Sequence, residues 1–273
     1  MMKAKTILVA ILILSMSLMT ACGGRVDSVI VSGSTSVHPY VEVLAEEFAL
    51  LAPGNQVDVQ GGGSSAGIMA VEYGIADIGM SSRPLREQEE HLWVIEIAKD
   101  GLAMIVHPQN PVNHLSLEQV RSIYTGALQN WSLVGGTDTR IHVIAREEGS
   151  GTRDAFEDLV MGGLRITPRA IVQSTNGSVR QLVAGDPNAI GFISLGLINE
   201  QVQGVYLDGV APTAENVRND SYSLYRSFLF VALERPTGLT AEFINFILSD
   251  TGKELMTQEG LVPTEKGSID EET

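Results

Sequence analysis

Four short segments of this 273-residue chain carry the same arrangement of small polar residues. They are Gly33-Ser34-Thr35-Ser36, Gly63-Ser64-Ser65-Ala66-Gly67, Gly149-Ser150-Gly151-Thr152 and Asn176-Gly177-Ser178. Each follows an extended stretch and opens a helical pattern. A helix start presents unpaired backbone N–H groups and a partial positive charge, which together receive an anion. Glycine lets the backbone come close, and hydroxyls add donors. One such segment is an ordinary helix cap; four in one chain point to a shared ligand. Arg146, four residues before Ser150, adds a planar fork of donors that matches the oxygens of a tetrahedral oxyanion. The same spacing permits an ion pair with Glu147 or Glu148, and such a carboxylate would aim the fork.

The elements that must position these residues are readable from periodicity. Short apolar or alternating runs at 28–32, 56–60, 76–80, 102–106, 141–145 and 190–193 read as strands, as does the later part of 221–233. Helical spacing starts near Pro39 and again after Gly67, Ser116, Gly151 and Ser178. Two further helices, at 240–248 and 251–258, take Thr240 and Asp250 as caps. The alternation predicts an α/β protein of two units, each a mostly parallel sheet covered by helices. In such sheets the loops at the carboxyl ends of the strands gather round the ligand. The acidic tail from Gly267 is expected to fray.

The motifs together resemble the phosphate-binding proteins of bacterial ABC importers. GSTS at 33–36, GGGSSAG at 61–67, DIGMSSRPL at 77–85, AREEGSGT at 145–152 and AIGFISLG at 189–196 carry the resemblance. It implies a two-lobed periplasmic-binding-protein type II fold, with two mostly parallel sheets joined by two crossover strands. It implies inorganic phosphate held between the lobes and handed to ABC permease subunits, without chemistry or cofactor. Lobe 1 is expected at 28–106 plus 226–273 and lobe 2 at 107–225, with a hinge near Val106 and Tyr225. By the same resemblance, Arg146, Ser150, Gly151 and Thr152 contact the ligand, joined by Ser64, Ser65, Thr35, Ser36 and Ser82. Ser34, Asn176 and Ser178 are further candidates. Glu148 falls where the family often has an acid that orients the arginine. Ser82 stands where some members have an aspartate that accepts the ligand's proton, which weakens discrimination against sulfate, molybdate or tungstate. Arg83 beside it is expected to pair with Glu87 at helical spacing.

The start of the chain reads as an export signal. Lys3 and Lys5 precede an apolar run at 6–14, and small or apolar residues lead into Cys22, the one cysteine. This resembles the lipobox of bacterial lipoproteins. It implies a signal peptide at 1–21, a lipidated tether at 22–27, and a monomer held at the extracytoplasmic face of the cell membrane by acyl chains such as palmitate on Cys22. With one cysteine there is no intrachain disulfide, and the five histidines show no metal-ligand spacing. A net charge of −15 opposes nucleic-acid binding. The rival from another class is a serine hydrolase, because Gly63-Ser64-Ser65-Ala66-Gly67 fits a nucleophile elbow with Ser65 as nucleophile. That reading needs a histidine beside Ser65.

Overall fold

The computed structural model describes residues 28–270. The expected signal peptide and tether, with Cys22, lie outside the described residues. The strands are β1 (Ser28–Gly33), β2 (Gln56–Gly61), β3 (Ile78–Ser81), β4 (Trp93–Val106), β5 (His114–Leu115), β6 (His142–Arg146), β7 (Ile171–Gln173), β8 (Ala189–Ser194), β9 (Gln203–Gly204), β10 (Tyr206–Leu207), β11 (Tyr225–Ala232) and β12 (Val262–Pro263). The α-helices are α1 (His38–Leu51), α2 (Ser64–Glu72), α3 (Leu117–Thr125), α4 (Gly151–Phe156), α5 (Asn176–Gly185), α6 (Ala214–Arg218), α7 (Gly238–Leu248) and α8 (Asp250–Gln258). Helix α4 runs on into a π-helical turn at Glu157–Met161.

The main strand order is β2-β1-β3-β11-β4-β8-β6-β7, which is two sheets sharing β4. Residues 93–101 of β4 pair antiparallel with β11, whereas residues 102–106 pair antiparallel with β8. The chain therefore changes sheets between Gly101 and Leu102. On the returning strand Tyr225 pairs with Gly101. Strands β1, β2 and β3 are mutually parallel in the first lobe, as are β6, β7 and β8 in the second.

Apolar runs become strands buried on both faces, as expected for sheets covered by helices. In β11, Phe228 and Phe230 face a core with Val41, Leu44 and Phe243, while Leu229 and Val231 join Ile68 and Val71 of α2 on the opposite face. In β4, Met104 packs with Tyr124 and Phe192, and Ile105 packs on the other side with Val179 and Val183. This period-two partition requires one helix layer on each side of each sheet. Helix α2 lies unusually close to β1. A Cβ at Gly67 would collide with the Ser32 carbonyl.

Three sequence expectations need correction. Helix α7 starts behind Thr237 rather than Thr240, and Ser249, not Asp250, caps α8 by accepting from Gly252 N–H at 3.3 Å. The tail is held as far as Asp270: Ile269 donates its N–H to Asn245 Oδ1 at 2.9 Å, and Arg235 bonds Asp270 at 2.7 Å. The first half of β4 escaped the strand reading because Glu96, Lys99 and Asp100 break its apolar pattern. Asp100 is nonetheless fully buried, because Arg226 neutralises it from the neighbouring strand.

Candidate functional site

All four loops meet at the crossing of the lobes. Helices α1 and α2 come from the first lobe, α4 and α5 from the second, and their amino-terminal ends converge there. Ser150 caps α4 by accepting from Arg153 N–H at 3.4 Å. Thr175 caps α5 by accepting from Ser178 N–H at 3.0 Å, so Asn176 is the first residue inside that helix.

Arg146 is 1% exposed at the carboxyl end of β6. Its Nε and Nη2 donate to Glu147 Oε2 and Oε1 at 3.0 and 2.9 Å, and to the carbonyls of Gln173 and Ser174 at 3.2 and 3.1 Å. Nη2 also donates across the cleft to Thr35 Oγ1 at 3.0 Å, and Nη1 donates to Thr152 Oγ1 at 3.4 Å. The guanidinium is thus fixed on one edge by a carboxylate and two carbonyls, and its remaining donors face hydroxyls of both lobes. The orienting acid is Glu147. Glu148, the expected one, is exposed, and the carboxylate that bonds Arg146 Nε and Nη2 is that of its neighbour Glu147.

The hydroxyls around Arg146 form one buried cluster. Ser36 Oγ lies 2.6 Å from Thr152 Oγ1 and accepts from Asn176 Nδ2 at 2.8 Å. Ser34 Oγ donates to Ser82 Oγ at 2.9 Å, which lies 3.3 Å from Ser64 Oγ. Ser82 N–H donates to Ser64 Oγ at 3.0 Å. Gly151 packs against Ser64 and Ser82 from the other lobe. The structure therefore assembles Ser34, Thr35, Ser36, Ser64, Ser82, Arg146, Gly151, Thr152 and Asn176, with Ser150 buried at their edge. Ser178 is not among them; its hydroxyl lies 2.8 Å from Thr175 Oγ1, within its own helix cap.

Ser65 stands at the rim. Its N–H donates to the Gly149 carbonyl at 3.3 Å, and its Oγ accepts from Arg83 Nη2 at 3.3 Å. No histidine bonds it among the described residues: His142 pairs with Asp186, His91 lies beside Glu72, and His38 beside Glu42. The contact that a nucleophile at Ser65 requires is thus filled by an arginine, which cannot act as a base.

Arg83 is buried and pairs with Glu89, not Glu87, through bonds of 2.7 and 2.9 Å. The chain between Pro84 and the short 3₁₀ turn at Glu87–Glu89 is not helical, so the expected i,i+4 geometry never forms. Burial raises the Glu89 carboxyl, but the bonds from Arg83 and the Arg86 N–H outweigh it and hold the carboxyl below its usual range. Asp154 of α4 also reaches across the cleft, to Arg83 Nε at 3.1 Å and Arg86 Nη2 at 2.8 Å. The lobes are closed on one another.

Sequence reasoning missed Asp100, Ser194 and Arg226, which border the cluster. Arg226 donates to Asp100 Oδ2, and Asp100 Oδ1 accepts from Ser194 Oγ at 2.7 Å. Tyr40 Oη lies 3.1 Å from the same Ser194 hydroxyl. Burial raises the Asp100 carboxyl against the pull of Arg226, and burial lowers Arg226 against the pull of Asp100. A lone charged residue within an otherwise uncharged strand was the available signal for Arg226; its partner Asp100 lies 126 residues away. Among the described residues no group of His, Cys, Asp and Glu is arranged to hold a metal.

Residues 20–251 match the model of the PBP superfamily domain. The phosphate-binding protein PstS of Bacillus subtilis is 29% identical over 286 aligned positions, covering 96% of this chain and 95% of its own. A Clostridium perfringens protein described as a phosphate ABC transporter substrate-binding protein, solved with bound phosphate, is 42% identical; it superposes with a TM-score of 0.84 over 88% of this chain and 100% of its own. An ABC-type phosphate transport receptor from Vibrio cholerae is 39% identical, with a TM-score of 0.72 over 86% of this chain and 99% of its own. The two sheets, their shared strand and the flanking helices are the type II binding-protein architecture. The chain belongs to the PBP superfamily, and within it to the substrate-binding proteins of phosphate ABC importers.

Proposed function

We propose that this protein captures inorganic phosphate between its lobes at the extracytoplasmic face of the membrane and delivers it to an ABC permease. The observation that carries the reading is Arg146: a buried guanidinium, aimed by Glu147, with donors turned toward hydroxyls of both lobes. Phosphate itself is supported by what the similar proteins from Bacillus subtilis and Clostridium perfringens are described as binding. The lobes in this reading are 28–101 with 225–273, and 102–224, hinged where β4 and β11 cross. Closure on the anion would mark the loaded state. The formal net charge of −15 over the whole chain does not oppose this. Exposed charges are screened beyond ~8 Å at physiological salt, whereas contacts to Arg146 are not.

Calorimetric titration with phosphate, sulfate, molybdate and tungstate at two pH values tests the reading. Phosphate is expected to bind at least about a hundredfold more tightly than sulfate. Equal affinity would transfer the site to another oxyanion, since Ser82 lacks the charge that repels a fully deprotonated ligand. The lipid anchor rests on the sequence around Cys22. Cys22→Ser, expressed in a bacterium that processes lipoproteins, is expected to move the protein from the detergent phase to the aqueous phase; unchanged partition would remove the anchor.

A further inference from the structure

We propose that Arg226 is a positioning residue of the anion site, acting through Ser36 to hold its hydroxyl as a hydrogen-bond donor. This rests on the reading of Ser36 as a ligand contact and deepens it.

Arg226 on β11 lies directly opposite Asp100 on β4, at the point where both strands cross between lobes. The pair is buried, with Asp100 at 0% and Arg226 at 5% exposure. Arg226 Nε and Nη2 both donate to Asp100 Oδ2, at 3.2 and 3.0 Å, and Nη2 donates again to Ser36 Oγ at 3.1 Å. Ser36 Oγ also accepts from Asn176 Nδ2 at 2.8 Å. The orientation of that amide follows from its other end, where Oδ1 accepts from Ser194 N–H at 3.3 Å. A backbone N–H can only donate, so Nδ2 must face Ser36.

A serine hydroxyl has two lone pairs and one hydrogen. At Ser36 both lone pairs are taken by groups that cannot accept, a guanidinium and an amide nitrogen. The hydrogen must then point the remaining way, toward Thr152 Oγ1 and the convergence of the loops. Thr152 Oγ1 receives Arg146 Nη1 as well as this hydrogen, so its own hydrogen is also directed outward. The Arg226 side of the site therefore ends in the Thr152 hydrogen, a donor for a deprotonated ligand oxygen whose direction is set through Ser36. Ser82 differs. Its hydroxyl receives Ser34 and neighbours Ser64, and no guanidinium or amide side chain bonds it among the described residues. With its own hydrogen given to Ser64 Oγ, it keeps a lone pair for the proton of a singly protonated oxyanion. Arg226 and Arg146 also sense each other's charge, which lowers Arg226 slightly further than burial alone does.

The test is a mutant cycle on the full chain, titrated with inorganic phosphate, with thermal unfolding to establish that each variant folds. Asp100→Asn with Arg226→Met removes both charges and strands neither. The double change is expected to lower phosphate affinity about tenfold, the equivalent of one hydrogen bond to a charged group. In a Ser36→Ala background the same double change is expected to cost less than about threefold, because its route is already cut. Should that variant fail to fold, Arg226→Lys carries the test. It keeps the charge beside Asp100 but loses the second arm of the fork, and affinity is expected to fall to the level of Ser36→Ala. Wild-type affinity in any folded Arg226 variant overturns the proposal, as does an equal loss with and without Ser36. Failure of the unsubstituted protein to bind phosphate would instead overturn the ligand assignment.

Discussion

Arg146→Ala is expected to lower phosphate affinity by at least about a hundredfold while the protein stays folded. Hydrogen bonds to a charged partner contribute about 1.5–3 kcal/mol each, so losing two amounts to roughly 3–6 kcal/mol, or more than two decades. The buried position strengthens the effect, because water does not replace the donors there. Folding is expected to survive because Glu147, left without its partner, is 30% exposed and can be solvated. Arg146→Lys should recover part of the loss, since an ammonium keeps the charge but not the fork. Glu147→Gln is expected to weaken binding and Glu148→Gln to leave it within about twofold, which separates the acid that bonds the arginine from the one that does not. Calorimetry on dialysed protein reads all four. Affinity within about twofold for Arg146→Ala would show that the loops hold the anion without it.

Gly151→Ala is expected to be nearly as damaging by a different route. Gly151 opens α4 in the second lobe, and a Cβ there would fall inside contact distance of Ser64 Oγ and Ser82 Oγ of the first. The backbone at Gly151 has an ordinary negative φ, so alanine meets no conformational strain. Alanine favours a helix interior over glycine by about 1 kcal/mol, and less at a first helical position such as this one. The two effects therefore separate: thermal stability is expected to hold or rise, while phosphate affinity falls by about a hundredfold. Serine hydroxyls on short side chains have little room to retreat, so the lobes must part instead. Small-angle scattering in saturating phosphate is expected to show a larger radius of gyration for the variant than for the unsubstituted protein. A closed variant with unimpaired affinity would mean that Ser64 and Ser82 can be displaced at little cost.

The sequence by itself determined the loops, the arginine and the class of fold. Glycine and hydroxyl residues ahead of a helical period are a local signal, because helix starts and close backbone approach depend on neighbours in the chain. The buried strands were legible for the same reason: Phe228 to Val231 is apolar at every position because both faces of the sheet are covered. Tertiary structure decided what each polar residue is partnered with. Glu147 rather than Glu148 holds Arg146, a choice between adjacent carboxylates that spacing alone leaves open. Arg83 turns to Glu89 and Asp154, and only the folded cleft brings Asp154 near. Asp100 and Arg226 lie too far apart in the chain for any spacing rule to join them. They pair because β4 and β11 run antiparallel between the lobes, and burial without a partner would be too costly for either charge. Ser36 needed both kinds of information. Its residue type marked it as a candidate contact, and two donors from distant elements direct its hydrogen in the proposed site.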